Sequence, residues 1–85
     1  MSARALRHGR DAHEQAALAR AALTRAEAHA AALTKAAREA GFTGGGPSSV
    51  DGHTGDVEKH LAAAKASVEK ALGALRFVSE RMGGS

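Results

Sequence analysis

The sequence predicts an all-α fold: an antiparallel two-helix hairpin of the coiled-coil type that dimerises into a four-helix bundle. Two long segments are rich in alanine and other strong helix formers, so local propensity alone favours helix in both. The segment between them, GFTGGGPSSVDGHTG, contains six glycines and a proline, which disfavour a continuous helix. Apolar residues also recur every seven positions in both helical segments, which is typical of helices that pack along their length.

The first helix is predicted over residues 3–40. Its apolar residues form two heptad series that alternate at spacings of three and four, and we expect both series to face the second helix. The first series is Ala16, Leu23, Ala30 and Ala37, and the second is Ala12, Ala19, Ala26, Leu33 and Ala40.

The linker is predicted over residues 41–55 and the second helix over residues 56–82. Gly41 is expected to end the first helix, and Thr54 or Asp56 is expected to cap the second. Two apolar series again indicate the packed side of the helix. They are Leu61, Val68, Leu75 and Met82, and Val57, Ala64, Ala71 and Val78.

With these bounds the second helix is the shorter one, and residues 1 to about 12 are expected to extend beyond it. This N-terminal arm carries Arg4, Arg7 and Arg10 and has no acidic residue before Asp11. One interpretation is a nucleic-acid-binding hairpin whose arginines contact phosphates. The other is an exposed terminus without a partner, which the nearly balanced charge of the remaining chain and the absence of interleaved aromatic residues favour.

The composition predicts a protein that completes its core by association. A single domain of 85 residues buries little surface, and most of its hydrophobic residues are alanine, with no isoleucine, tryptophan or tyrosine. Large apolar side chains outside the predicted series would then contact a partner, either a second copy in a homodimer or another helical protein. These candidate partner-binding residues are Leu72, Phe77, Leu18 and Leu6.

Enzymatic chemistry is not expected, and no cofactor is predicted. The chain lacks cysteine, and it shows no nucleophile motif and no paired carboxylates on a rigid scaffold. The best candidate for a metal site is His53, Asp56 and His60. Asp56 and His60 lie one helical turn apart, and His53 could fold over them from the linker. Such clusters arise easily by chance, so metal binding is the less favoured interpretation.

No apolar run is long enough for a membrane span, and no apolar segment follows the N-terminal arginines as in a signal peptide. The sequence therefore predicts a cytoplasmic protein with no membrane partner.

The chain also resembles the small Trp-x-Gly helical hairpins exported by type VII secretion systems of Gram-positive bacteria. The resemblance rests on the two-helix architecture and on an aromatic-x-Gly turn at Phe42, Thr43 and Gly44. It implies a dimer forming a four-helix bundle, and export without a signal peptide. This chain departs from the family pattern in having Phe for Trp, a longer turn and a basic composition. It also lacks the C-terminal aromatic-xxx-acid signal, since Arg81 stands four residues after Phe77.

Overall fold

The computed structural model describes residues 3–42, 44 and 49–83, and it consists of two long helices that pack antiparallel. Helix α1 spans Ala3–Glu39 and helix α2 spans Val50–Gly83. The molecule is elongated, measuring 59 × 18 × 15 Å. The predicted all-α hairpin is confirmed, and the described part of the chain contains no strand.

The end of α1 confirms the role predicted for Gly41. The amide of Gly41 donates to the carbonyl of Arg38 at 3.0 Å, and the amide of Phe42 donates to the carbonyl of Ala37 at 2.9 Å. This pair of hydrogen bonds is a Schellman motif, which requires a left-handed residue after the helix. Gly41 has a φ of 93°, a conformation that glycine adopts without a steric penalty.

Helix α2 begins at Val50, earlier than the predicted start at residue 56, and its N-cap is Ser49. The amide of Gly52 donates to the hydroxyl of Ser49 at 3.0 Å, which satisfies one of the free amides of the first turn. The prediction of Thr54 or Asp56 as the cap was wrong. Thr54 lies inside the helix, where it is buried and its hydroxyl donates to the carbonyl of Asp51 at 3.0 Å.

The early start of α2 has an identifiable physical reason. Gly52 and Gly55 each disfavour helix by about 1 kcal/mol relative to alanine, so local propensity places the start after them. Three interactions that depend on the fold or on the cap offset this cost. They are the Ser49 cap, the burial of Thr54 and an ion pair at 3.0 Å between Arg38 Nε of α1 and Asp51 Oδ1 of α2.

If Ser49 caps α2, Ser49→Ala should lower the free energy of unfolding by about 1 kcal/mol, because a first-turn amide loses its acceptor. The matched control is Ser67→Ala at an exposed position in the interior of α2, where alanine is the better helix former. Urea unfolding followed by circular dichroism measures both. Equal stabilities for the two variants would contradict the assignment of Ser49 as the cap.

Three contacts fix the register of the two helices. Besides the Arg38–Asp51 pair near the loop, Lys65 Nζ lies 3.2 Å from Glu27 Oε1. Near the open end, Gly9 of α1 faces the side chain of Ser79 of α2. This register places Ala40 level with Val50, Ala26 level with Ala64 and Ala12 level with Val78.

The prediction that residues 1 to 12 extend beyond α2 was wrong for residues 6–12, and residues 1 and 2 lie outside the described residues. Because α2 starts early and returns after a short connection, its last turn reaches the first turns of α1. Leu6 and Arg10 of α1 line a common groove with Arg76 and Gly83 of α2. Arg10 therefore belongs to the packed hairpin rather than to an arm that extends past it.

The core of the hairpin is thin, as the composition predicts. The buried residues among those described are Ala30, Thr34, Ala37, Thr54 and Leu72. Leucine 72 is the largest of them. The Thr34 hydroxyl donates to the carbonyl of Ala30 within its own helix at 3.0 Å, so its burial leaves no unsatisfied hydroxyl. A core of small side chains leaves the helices with little apolar surface hidden between them.

Candidate association surface

Heptad positions describe the surfaces of the hairpin, with a and d assigned to the residues that face the other helix. Every d position is buried or half-buried. This confirms the first predicted series of each helix. The d positions are Gly9, Ala16, Leu23, Ala30 and Ala37 in α1, and Thr54, Leu61, Val68, Leu75 and Met82 in α2.

The a positions complete the interface and are largely polar. Half-buried or buried a positions include His13, Glu27 and Thr34 in α1 and Glu58 and Lys65 in α2, whereas Leu6, Arg20 and Ser79 at other a positions are exposed. The Glu27–Lys65 ion pair joins two of these positions across the interface, with each side chain about one-third exposed. Long side chains can bury their stems and keep their charged ends near water.

Leu72 also occupies an a position, which corrects its assignment as an exposed partner contact. It is 6% exposed and lies between the two helices of its own hairpin. The prediction failed because it paired the d series with the wrong neighbouring series, and so left Leu72 on an outer side.

The second predicted series of each helix does not face the other helix. These residues occupy g positions, and all are exposed except Ala26, which is half-buried. Their outward placement corrects the prediction that they form part of the interhelical interface. Val50 extends the series at the start of α2, and it is exposed as well.

The g positions of both helices fall on one side of the hairpin. In an antiparallel pair of right-handed helices, the two g series lie on the same side of the interface and the two e series on the other. The groove at the open end agrees with this geometry, since e positions Arg10 and Arg76 line it together. We call the g side the apolar face. It consists of Ala12, Ala19, Ala26, Leu33 and Ala40 in α1, and Val50, Val57, Ala64, Ala71 and Val78 in α2.

The g positions contain no charged or polar side chain and run most of the length of the molecule, whereas the neighbouring c positions at the outer edges of this side include His29, His60 and Arg81. Leu33 is 55% exposed, Val50 and Val57 are each 45% exposed, and Val78 is 44% exposed. Large contiguous apolar patches are uncommon on monomeric proteins, so this face is the candidate association surface.

The opposite side, formed by e positions with the neighbouring a and b positions, carries charged side chains among alanines and glycines, and we call it the polar side. It carries both interhelical ion pairs, Arg38–Asp51 and Glu27–Lys65. At the open end of the hairpin this polar side forms a groove of about 950 Å³. The lining residues are Leu6, Arg10, His13, Glu14, Arg76, Ser79, Glu80 and Gly83.

The structure does not bring together the four residues predicted to bind a partner. Leu72 is internal, and Leu6 lies at the groove on the polar side. Leu18 and Phe77 are each 57% exposed and occupy f positions, which point away from the other helix in opposite directions. The Phe77 ring contacts the Arg81 guanidinium, whose carbon lies 4.8 Å from the ring centroid.

The three N-terminal arginines are exposed in the first turns of α1, but they do not form a purely cationic surface. Arg10 shares the groove with Glu14 and Glu80, so acidic side chains stand beside it. A phosphate backbone would meet both signs of charge at this end of the hairpin.

The proposed metal ligands His53, Asp56 and His60 all lie exposed within α2, not on a loop that folds over the helix. Among the described residues, no three His, Asp or Glu side chains are grouped so that they could hold a metal ion. Neither of the two described helices has an apolar stretch of the length and hydropathy that a bilayer crossing requires.

Comparison with known protein families, curated proteins and solved structures finds no match to this chain. The resemblance to the Trp-x-Gly hairpins stays a prediction. Phe42 directly follows the glycine that ends α1, and Gly44 has a φ of 76°. The middle residue of the motif, Thr43, lies outside the described residues.

Proposed function

We propose that this chain is a non-enzymatic association module that forms a homodimeric four-helix bundle through its apolar face. The observation that carries the proposal is the single, uncharged face of ten alanine, valine and leucine residues on one side of a thin hairpin. Covering this face would supply the core that the two helices lack between themselves.

The dimensions of the lone hairpin support association. Its accessible surface is 6158 Å², whereas a compact monomer of its mass, 8.6 kDa, exposes about 4,700 Å². Its radius of gyration is 18.5 Å, compared with about 12 Å for a compact chain of this length. The hairpin thus carries more surface than a self-sufficient domain of its size.

The side of the hairpin that contains the apolar face has about the area of a standard interface. From Ala12 to Ala40 the face is about 42 Å long at the helical rise per residue. The whole hairpin is 18 Å wide, so this side, with the c positions at its edges, covers roughly 750 Å². Specific interfaces bury about 800 Å² per partner, so a second copy laid on this face would form an interface of ordinary size.

A second copy also fits the chemistry of the face better than a polyanion would. The g positions carry no charge, so two copies bring no like charges together at the centre of the interface, although each chain has a net charge of +3. Nucleic acid would instead need the arginines near the open end, where Glu14 and Glu80 lie beside Arg10. Polyanion binding through Arg4, Arg7 and Arg10 is therefore the weaker alternative.

Sedimentation equilibrium over a concentration series tests the proposal. The expected result is a mass of twice 8.6 kDa at micromolar concentrations, with dissociation on dilution. A mass of one chain at every concentration would overturn the homodimer, and so would a trimer or a larger species. The same samples mixed with labelled duplex DNA at low salt are expected to keep the mass of the protein alone.

A further inference from the structure

We infer that the two hairpins of the dimer pack face to face with their loops at opposite ends of the bundle. This inference rests on the proposed homodimer and specifies its symmetry. The geometry that points to it is the distribution of large and small side chains along the apolar face.

A two-fold axis can relate two stacked hairpins in two ways. If the axis runs parallel to the helices, both loops lie at the same end and α1 stacks on α2 of the partner subunit. If the axis runs across the hairpin, the loops lie at opposite ends, α1 stacks antiparallel on the partner's α1, and α2 stacks on the partner's α2. The two arrangements bring different residues into contact.

The apolar face consists of five levels, because residues of α1 and α2 lie side by side in the observed register. From the loop to the open end these levels are Ala40 with Val50, Leu33 with Val57, Ala26 with Ala64, Ala19 with Ala71, and Ala12 with Val78. The level of Leu33 and Val57 is the bulkiest, and the two levels that follow it contain only alanine. The face is therefore uneven along its length.

With the loops at opposite ends, large side chains meet small ones. The axis passes through the level of Ala26 and Ala64, so Leu33 stacks over the partner's Ala19 and Val57 stacks over the partner's Ala71. At the outer levels Val50 meets the partner's Val78. The layer on the axis then contains only Ala26, Ala64 and their copies, but every other layer combines larger side chains with alanine, and such complementary sizes favour a well-packed core.

With both loops at the same end, the sizes conflict. Leu33 and Val57 would meet the partner's Val57 and Leu33, which places four large side chains in one layer. The next two layers would contain eight alanines and no larger side chain. Overpacking in one layer and a void in the adjacent layers both destabilise a core, so this arrangement is disfavoured.

Spin-label distance measurements test the orientation, and the absence of cysteine from the chain allows labels at single sites. Phe42→Cys places a label on an exposed residue next to the loop. Opposite loops put the two labels of a dimer about 50 Å apart, whereas loops at one end put them about 25 Å apart. A distance near the shorter value would overturn the inferred orientation while leaving the dimer itself intact.

A label at Ala63→Cys is the matched control. Ala63 is exposed on α2 next to Ala64, at the level of the inferred axis. Its two copies are separated by about 40 Å or less in either arrangement, since they have no offset along the helices. A dipolar signal from this site reports that dimers are present. No signal from either site, together with the mass of a single chain, would instead refute the proposed homodimer.

Discussion

Replacing Leu72 by alanine is expected to lower the free energy of unfolding by about 2–5 kcal/mol, the usual range for a buried leucine. Leu72 is 6% exposed and is the largest buried side chain among the described residues. The other buried residues are alanine and threonine, whose small side chains have little capacity to fill the space left behind. In a core this thin, one cavity removes a large share of the packing.

Leu18→Ala is the control for this experiment, because the same substitution is made on the outer side of α1, where Leu18 is 57% exposed. It should change the free energy of unfolding by about 0.5 kcal/mol or less. Chemical denaturation at one fixed protein concentration measures both variants, since the stability of an associating protein depends on concentration. Similar losses in the two variants would contradict the placement of Leu72 between the helices.

Replacing Leu33 by lysine is expected to weaken the proposed dimer by about three orders of magnitude or more in Kd. Leu33 is 55% exposed on the lone hairpin but would be covered near the middle of the dimer interface. An ammonium group there would lose its hydration without gaining an ionic partner, which costs several kcal/mol. Sedimentation should then show a single chain at concentrations where the parent protein is a dimer.

Leu18→Lys introduces the same charge on the outer side and should leave the dimer unchanged. Comparison of the two lysine variants separates an effect at the apolar face from an effect of net charge. If both variants dissociate, or if neither does, the apolar face is not the dimer interface. Circular dichroism at high protein concentration checks that each variant remains helical.

The sequence predicted the helices and their direction, but only half of the packing between them. Strong propensities and Gly41 were sufficient to place α1 and its end. The d series of both helices was also predictable, because its members are almost all apolar. These features depend on local chemistry and on a simple heptad repeat, which a sequence displays directly.

Only the folded structure shows which series accompanies the d positions at the interface between the helices. An apolar stripe with alternating spacings of three and four is compatible with an interface of d and a positions or with one of d and g positions. Because the g positions are all apolar and the a positions are largely polar, the sequence alone favours d and g. Positions a contain Glu27, Glu58 and Lys65, which sequence reasoning places in solvent. The Glu27–Lys65 pair forms only once the two helices are side by side, so its compatibility with the interface could not be predicted.

The same ambiguity explains how the apolar face could be found and yet be assigned wrongly. Its residues were identified correctly as an apolar series, whereas Leu18 and Phe77 were predicted as the outer contacts. To bury both its d and its g positions, each helix of the hairpin must contact one further helix in addition to the helix it already packs against. The full apolar stripe therefore corresponds better to a four-helix arrangement than to a lone hairpin.

The polar side of the hairpin has a consequence for the size of the assembly. Each chain has one apolar face, and the other side carries the Arg38–Asp51 and Glu27–Lys65 pairs. Two chains related by a two-fold axis cover both of their apolar faces, and the surface left for a third chain carries these ion pairs and only separate apolar side chains such as Leu18 and Phe77. Were both sides apolar, hairpins could stack without limit into a fibre. In the proposed dimer, the ion pairs on the outer side therefore disfavour the stacking of a third hairpin.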